Sequence, residues 1–200
     1  MTPHLVTGLL PEIWLGLLFT LLLVLDLAWK EERSTALGMV AALGLLPIFP
    51  VLAWQAGMGS HELLGGMYRL DLLALFFKGI FTAAAVLVLL MTRELDKTIP
   101  RGHGEFYLLI LAATLGMMFT ASAGNFLMLF VALELITISF YVMTAYLKTD
   151  RRSLEAGLKY LILGSIALYQ HFNLGHWLTL GTRSMQLSRI QALYSAGAPL

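Results

Sequence analysis

Residues 125–147 read NFLMLFVALELITISFYVMTAYL, an apolar run broken by one charge, Glu134. At ~1.5 Å per residue such a helix crosses a ~30 Å hydrocarbon core. Working outward, comparable runs occupy Pro11–Trp29, Thr35–Trp54, Leu72–Met91 and Glu105–Ala121, and a sixth begins near Leu154 but stays apolar only to about Tyr169. The pattern predicts an all-α polytopic membrane bundle of five to six transmembrane helices, residues 1–170, followed by an irregular tail, 171–200. Pro11 fits a first helical turn, where its missing N–H is not needed, and Glu12 then lies where the helix dipole favours an anion. Pro47 and Pro50 should loosen the end of the second span. Only about four residues separate the fourth and fifth spans, which requires a tight antiparallel hairpin. Ala112, Gly116, Thr120 and Gly124 form a small-residue stripe that lets a neighbouring helix approach.

Composition agrees. Of 200 residues 58% are hydrophobic and 12% charged, and the mean hydropathy is +0.80. This argues against a soluble enzyme and a disordered chain. A net charge of +1 supplies no basic field for nucleic acid. The absence of cysteine excludes disulfides, thiolate metal sites and Cys-ligated clusters. His171 and His176 lie five apart with no third ligand, so no metal site is expected. The first span lacks the basic start and small-residue cleavage site of a secretory signal.

Loop charges set an expected orientation. Lys30 and Arg33 follow the first span, Arg93, Lys97 and Arg101 the third, and Lys148, Arg151 and Arg152 the fifth. Of Lys and Arg, the alternate loops carry only Arg69. The positive-inside rule then places the N-terminus outside.

Most charges lie in loops or at span ends, such as Asp26 and Glu105; three lie deeper, Lys78, Glu134 and Lys159. Each costs roughly 2.5–3.5 kcal/mol at mid-membrane on insertion scales, so it should face the bundle interior or water. Glu134 is nine residues past Asn125, roughly 13 Å deep. Its neighbours Phe130, Val131, Leu133, Leu135 and Ile138 are apolar, and a carboxyl in such surroundings holds a proton more readily than one in water. That chemistry suits a proton-carrying site; a protonated glutamic acid bridging two helices is the plainer alternative. Lys159 is six residues past Ser153 and could either serve a polar path or snorkel to the interface. By depth, a direct Glu134–Lys159 ion pair is not expected. Lys78 lies two turns after Asp71 on the same helix face and is expected to snorkel toward the nearer membrane surface; a place on a polar axis is the second possibility for Lys78, and Asp71 is either a polar-axis or a structural residue.

These residues also carry a family likeness. Leu10-Pro11-Glu12-Ile13 with its leucine-rich span, Asp71–Lys78, Ala132-Leu133-Glu134-Leu135 and Ser153–Tyr160 together resemble the antiporter-like membrane subunits of respiratory complex I, above all subunit N of NADH-quinone oxidoreductase. The likeness runs over roughly residues 8–167 and is most specific from Glu105 to Gly164. It implies proton translocation, with Glu134 in the translocating machinery and Lys159 on the same polar membrane axis. It implies no cofactor in this chain, with NADH, FMN, iron–sulfur clusters and quinone handled elsewhere in the complex. It implies the other membrane subunits and the lipid bilayer as partners, and a bacterial inner membrane as the location. Related cation/proton antiporters and membrane-bound hydrogenases share the glutamate and lysine pattern and form the alternative. The family has many more helices than the six counted here, including a seventh whose lysine partners the fifth-helix glutamate. The pattern also breaks at Tyr169–Asn173, so a truncated or frame-shifted reading of a longer gene, without function of its own, is a further expectation.

Overall fold

The computed structural model describes residues 3–28, 34–92 and 103–182, with 187, 191–192 and 195–196 besides. The basic residues Lys30, Arg33, Arg93, Lys97 and Arg101, and tail residues Arg183, Ser184, Gln186, Ser188 and Arg189, lie outside the described set.

A short helix α1 (Pro3–Gly8) leads into α2 (Leu10–Ala28). The second span is broken where the prolines predict: α3 (Ser34–Leu45) ends before Pro47, and α4 (Ile48–Ala56) resumes after it. Leu46 and Phe49 donate their N–H groups three residues back, to Leu43 O and Leu46 O, which tightens the turn without opening the span. Strands β1 (His61–Leu63) and β2 (Tyr68–Leu70) form an antiparallel hairpin with Leu63 opposite Tyr68. Gly65 and Gly66 adopt φ 66° and 85° in its turn, values that glycine tolerates without strain. Then follow α5 (Leu72–Met91), α6 (His103–Ala121), α7 (Phe126–Thr144) and α8 (Arg151–Thr182). Among the described residues five stretches are long and apolar enough to span a membrane: Leu10–Ala28, Ala36–Ala56, Leu72–Met91, Gly104–Ala121 and Phe126–Thr144. The chain is a multi-pass membrane protein.

Side-chain caps fix the starts of α5, α7 and α8, the last through Asp150, which accepts from Arg152 N at 2.9 Å. Asp71 accepts from Ala74 N at 2.8 Å, and Asn125 accepts from Met128 N at 2.8 Å. Helix α6 sits centrally, touching α2, α3, α5 and α7. The core joins Leu15 and Leu22 of α2, Leu45 of α3, Ile48 of α4, Leu89 of α5 and Leu111 of α6. Leucines such as Leu17, Leu27, Leu72 and Leu87 face outward, the arrangement expected where the solvent is lipid. The small-residue stripe does what its spacing predicts at Gly116: a Cβ there would stand 3.0 Å from Ala132 O, so α6 and α7 meet backbone to backbone.

Contacts define two ends. At one, the hairpin joins the α6–α7 turn: Arg69 N donates to Ser122 O at 2.8 Å and Gly124 N to Met67 O at 2.7 Å. At the other, Asp26 of α2 lies against Gly104 of α6, and Phe106 packs edge-on against Tyr146 at 5.1 Å.

The sixth helix differs from expectation. Helix α8 does not stop at Tyr169 but continues without a break through Gln170–Asn173 to Thr182. A polar side chain does not interrupt a helix whose backbone bonds are internal, and α8 gains contacts along α7. Phe172 meets Phe130 edge-on at 5.9 Å, and Gly175 lies against the Phe126 ring. Helix α8 therefore runs antiparallel to α7, from Gly157 against Ala145 to Gly175 against Phe126.

Candidate functional site

Two polar sites lie within the spans, and they are built differently. The first closes the hairpin end. Lys78 Nζ sits 2.6 Å from Glu12 Oε1 and donates to the Tyr68 hydroxyl at 2.6 Å. Their side chains are 0% and 2% exposed. The Tyr68 O–H points to Glu12 Oε1 at 3.0 Å and Gly8 O at 3.1 Å. Gln55, also fully buried, donates its amide to Thr7 O at 2.7 Å and to the same Gly8 O at 3.2 Å. Four elements thus converge: the α1–α2 junction, α4, the hairpin and α5. Burial and the neighbouring Glu12 carboxylate hold the Tyr68 phenol well above the ordinary tyrosine range, so it remains a donor.

This arrangement corrects the expectation for Lys78. It does not snorkel; it is turned into the bundle, where Glu12 neutralises it, and its ammonium lies 4.8 Å from the Tyr68 ring centroid. Asp71 stays at the start of α5. It caps the helix and pairs with Arg69 at 3.2 Å. Sequence reasoning missed Glu12, Gln55 and Tyr68 as members of this site. A helix dipole accounts for Glu12 locally, and nothing in the spacing says that α2 and α5 meet. The available signal was that a buried lysine needs an acid, and Glu12 opens a span on the same side.

The second site is the open flank of α7. Glu134 lies mid-helix, ten residues before Thr144, or roughly 15 Å along the axis. It is half-buried, and among the described residues no hydrogen bond or ion pair reaches its carboxylate. It lines a cavity of about 890 Å³ between α6, α7 and α8. Leu108, Ala112, Ile138, Leu161 and Leu168 supply apolar wall, and Tyr141 and Ser165 bring hydroxyls. Glu105, Tyr146 and Lys148 line the same cavity at the end away from the hairpin, so it links the mid-span carboxyl to that membrane surface. The Tyr146 phenol is pushed up to about 12, by partial burial first and then by the Glu105 and Asp26 carboxylates.

Lys159 is not brought to Glu134. It pairs with Glu155, one turn earlier on α8, at 2.6 Å, with side chains 70% and 60% exposed. The turn of α8 that faces α7 carries Gly157 instead, whose missing Cβ lets Ala145 approach. The expectation of no direct Glu134–Lys159 contact agrees with this geometry. Among the described residues no cluster of three His, Asp or Glu side chains could hold a metal.

Comparison with known proteins places this arrangement. Residues 123–172, which contain Glu134 and Lys159, match the family model described as NADH:quinone oxidoreductase/Mrp antiporter, transmembrane. Over 193 residues the chain is 36% identical to NADH-quinone oxidoreductase subunit N of Chlorobium chlorochromatii, covering 94% of this chain and 37% of that protein. The chain is thus similar to the antiporter-like membrane subunits of NADH-quinone oxidoreductases. Subunit N of Desulfitobacterium hafniense is 49% identical over 107 residues, 54% of this chain and 22% of that one. The fold matches a chain of respiratory complex I from Thermus thermophilus, solved with bound aureothin, with a TM-score of 0.69 and 29% identity, covering 88% of this chain and 38% of that one. The chain therefore spans well under half the length of the family members it matches.

Proposed function

We propose that the chain acts as a proton-translocating membrane component of an NADH-quinone oxidoreductase, with Glu134 as the proton-carrying carboxyl. The observation that carries this reading is the unpaired Glu134 at mid-span, on a cavity that runs to Glu105 and Lys148. A carboxyl free of a fixed cation can be charged or neutral according to the charge brought beside it. Water in the cavity would deliver the proton, and Tyr141 and Ser165 offer hydroxyls along the way. The cation that sets Glu134 comes, in this reading, from a helix seated on the open flank of α7, as the family's seventh helix implies. Lys159, held by Glu155, is the next charge along the axis.

The location proposed is a bacterial inner membrane with the N-terminus outside. Lys148, Arg151 and Arg152 support that orientation, since they gather at the end opposite the hairpin. The partners are the other membrane subunits of the complex and the lipid around them. NADH, FMN, iron–sulfur clusters and quinone belong to other parts of it.

The test is Glu134→Gln in the assembled complex with the family-length subunit. Proton transfer per electron should fall while NADH oxidation by the peripheral part continues. Undiminished proton transfer would refute the assignment. The family model's inclusion of Mrp antiporters supports a second reading, a subunit of a cation/proton antiporter. Co-purification separates the two: redox subunits accompany the chain in the first, and only antiporter subunits in the second.

A further inference from the structure

The buried cluster at the hairpin end contains more acceptors than its donors satisfy. Glu12 Oε1 takes the bonds from Lys78 and Tyr68, while Glu12 Oε2 is buried with no donor. Gln55 uses its amide N–H groups on Thr7 O and Gly8 O, which fixes the orientation of the amide and leaves Gln55 Oε1 buried with no donor as well. Turning the amide over would not help, because it would set Oε1 against two carbonyls. An ammonium has three N–H donors, and Lys78 spends two, on Glu12 and Tyr68. Both orphan oxygens belong to one bonded group, since the Tyr68 hydroxyl and the Gln55 amide meet at Gly8 O.

Unsatisfied buried acceptors are expensive, and a carboxylate oxygen more so than an amide. The group that would satisfy this set has two hydrogens to give and a lone pair to offer. We infer that Glu12, Gln55, Tyr68 and Lys78 form a buried water-binding site at the hairpin end of the bundle. One water there donates to Glu12 Oε2 and Gln55 Oε1 and accepts from Lys78, within the two to four polar partners that buried waters keep. The site solvates an ion pair whose neighbours one turn along each helix, Leu15 after Glu12 and Leu75 before Lys78, are buried leucines. Its role is to supply the hydration that the buried Glu12–Lys78 pair otherwise lacks, and Gln55, which carries no charge, is there to hold the water.

The inference does not depend on the proton-translocation reading, and its test uses no pumping assay. The chain in its own membrane is exposed briefly to hydroxyl radicals generated from ¹⁸O-water by X-rays, and label on each tyrosine is read by mass spectrometry. Tyr68 is 0% exposed and Tyr107 2%, so contact with bulk solvent would label them alike. A bound water beside the phenol should raise Tyr68 label several-fold above Tyr107. The substitution Gln55→Leu, which removes one of the water's acceptors, should return Tyr68 to the Tyr107 level. Equal labelling of the two tyrosines in the unsubstituted chain overturns the site. Tyr68 label that persists in Gln55→Leu also overturns it, because water then reaches the phenol by opening of the hairpin. Should Gln55→Leu fail to accumulate, the ratio in the unsubstituted chain decides alone.

Discussion

Glu12 and Glu134 are both membrane carboxyls, and the bundle treats them in opposite ways. Glu12 is 4% exposed, 2.6 Å from an ammonium and bonded to a phenol. Glu134 is half-buried on an open cavity and has no fixed partner among the described residues. A carboxylate locked to a cation in a closed site is held in one charge state and ties elements together. One that faces a cavity without a cation can change its charge when something approaches. Position in a span therefore does not by itself suit an acid to the proposed proton-carrying role; freedom from a fixed cation does.

The largest effect expected from this contrast is on stability, at the closed site. Lys78→Met should destabilise the chain by about 3–5 kcal/mol, because it strands the buried Glu12 carboxylate. Denaturant unfolding of the chain in detergent checks it. Combining Lys78→Met with Glu12→Gln should recover much of the loss, and a double variant as weak as the single one would break the paired reading. A smaller loss, about 0.5–2 kcal/mol, is expected for Asp71→Ala, since the cap on Ala74 N disappears. Were Asp71 part of an ionic path instead of a cap, Asp71→Asn would be as harmful as Asp71→Ala; the cap predicts that Asn is tolerated.

Smaller still is Lys159→Gln, at about 0.2–1 kcal/mol, as for other exposed one-turn ion pairs. The last effect is spectroscopic. Tyr146 should titrate late, near pH 12, so Tyr146→Phe should remove an ultraviolet tyrosinate step at that pH and leave the earlier ones. The sign follows: an unfolded tyrosine loses its proton near 10 and the folded one near 12, so any stability Tyr146 adds is complete below pH 10 and fades as pH rises through 12.

Much of the fold is legible in the sequence, because lipid imposes length and hydropathy on each span. Leu72–Met91 is predicted to the residue, and the break at Pro47 follows from a missing N–H. Helix α8 is harder. Gln170, His171 and Asn173 look like an ending, yet polar residues only relabel a helix face, and the ring contacts of Phe126 and Phe130 keep the helix on α7. The site divides the same way. Glu134 stands out because a lone acid in an apolar run has no local explanation. Glu12 has a local explanation in the helix dipole, and that conceals its pairing with a lysine 66 positions later, reached only when the fold brings the start of α2 and the start of α5 together beside the hairpin. Periodicity gives the face of a helix and not the neighbour it meets.

The most direct measurement is carboxyl labelling with a hydrophobic carbodiimide, which reacts with protonated acids reachable from the membrane interior, followed by peptide mapping. The account predicts modification of Glu134 and none of Glu12, with Glu12 becoming reactive only when Lys78 is replaced by Met. Modification of Glu12 with Glu134 untouched would contradict it.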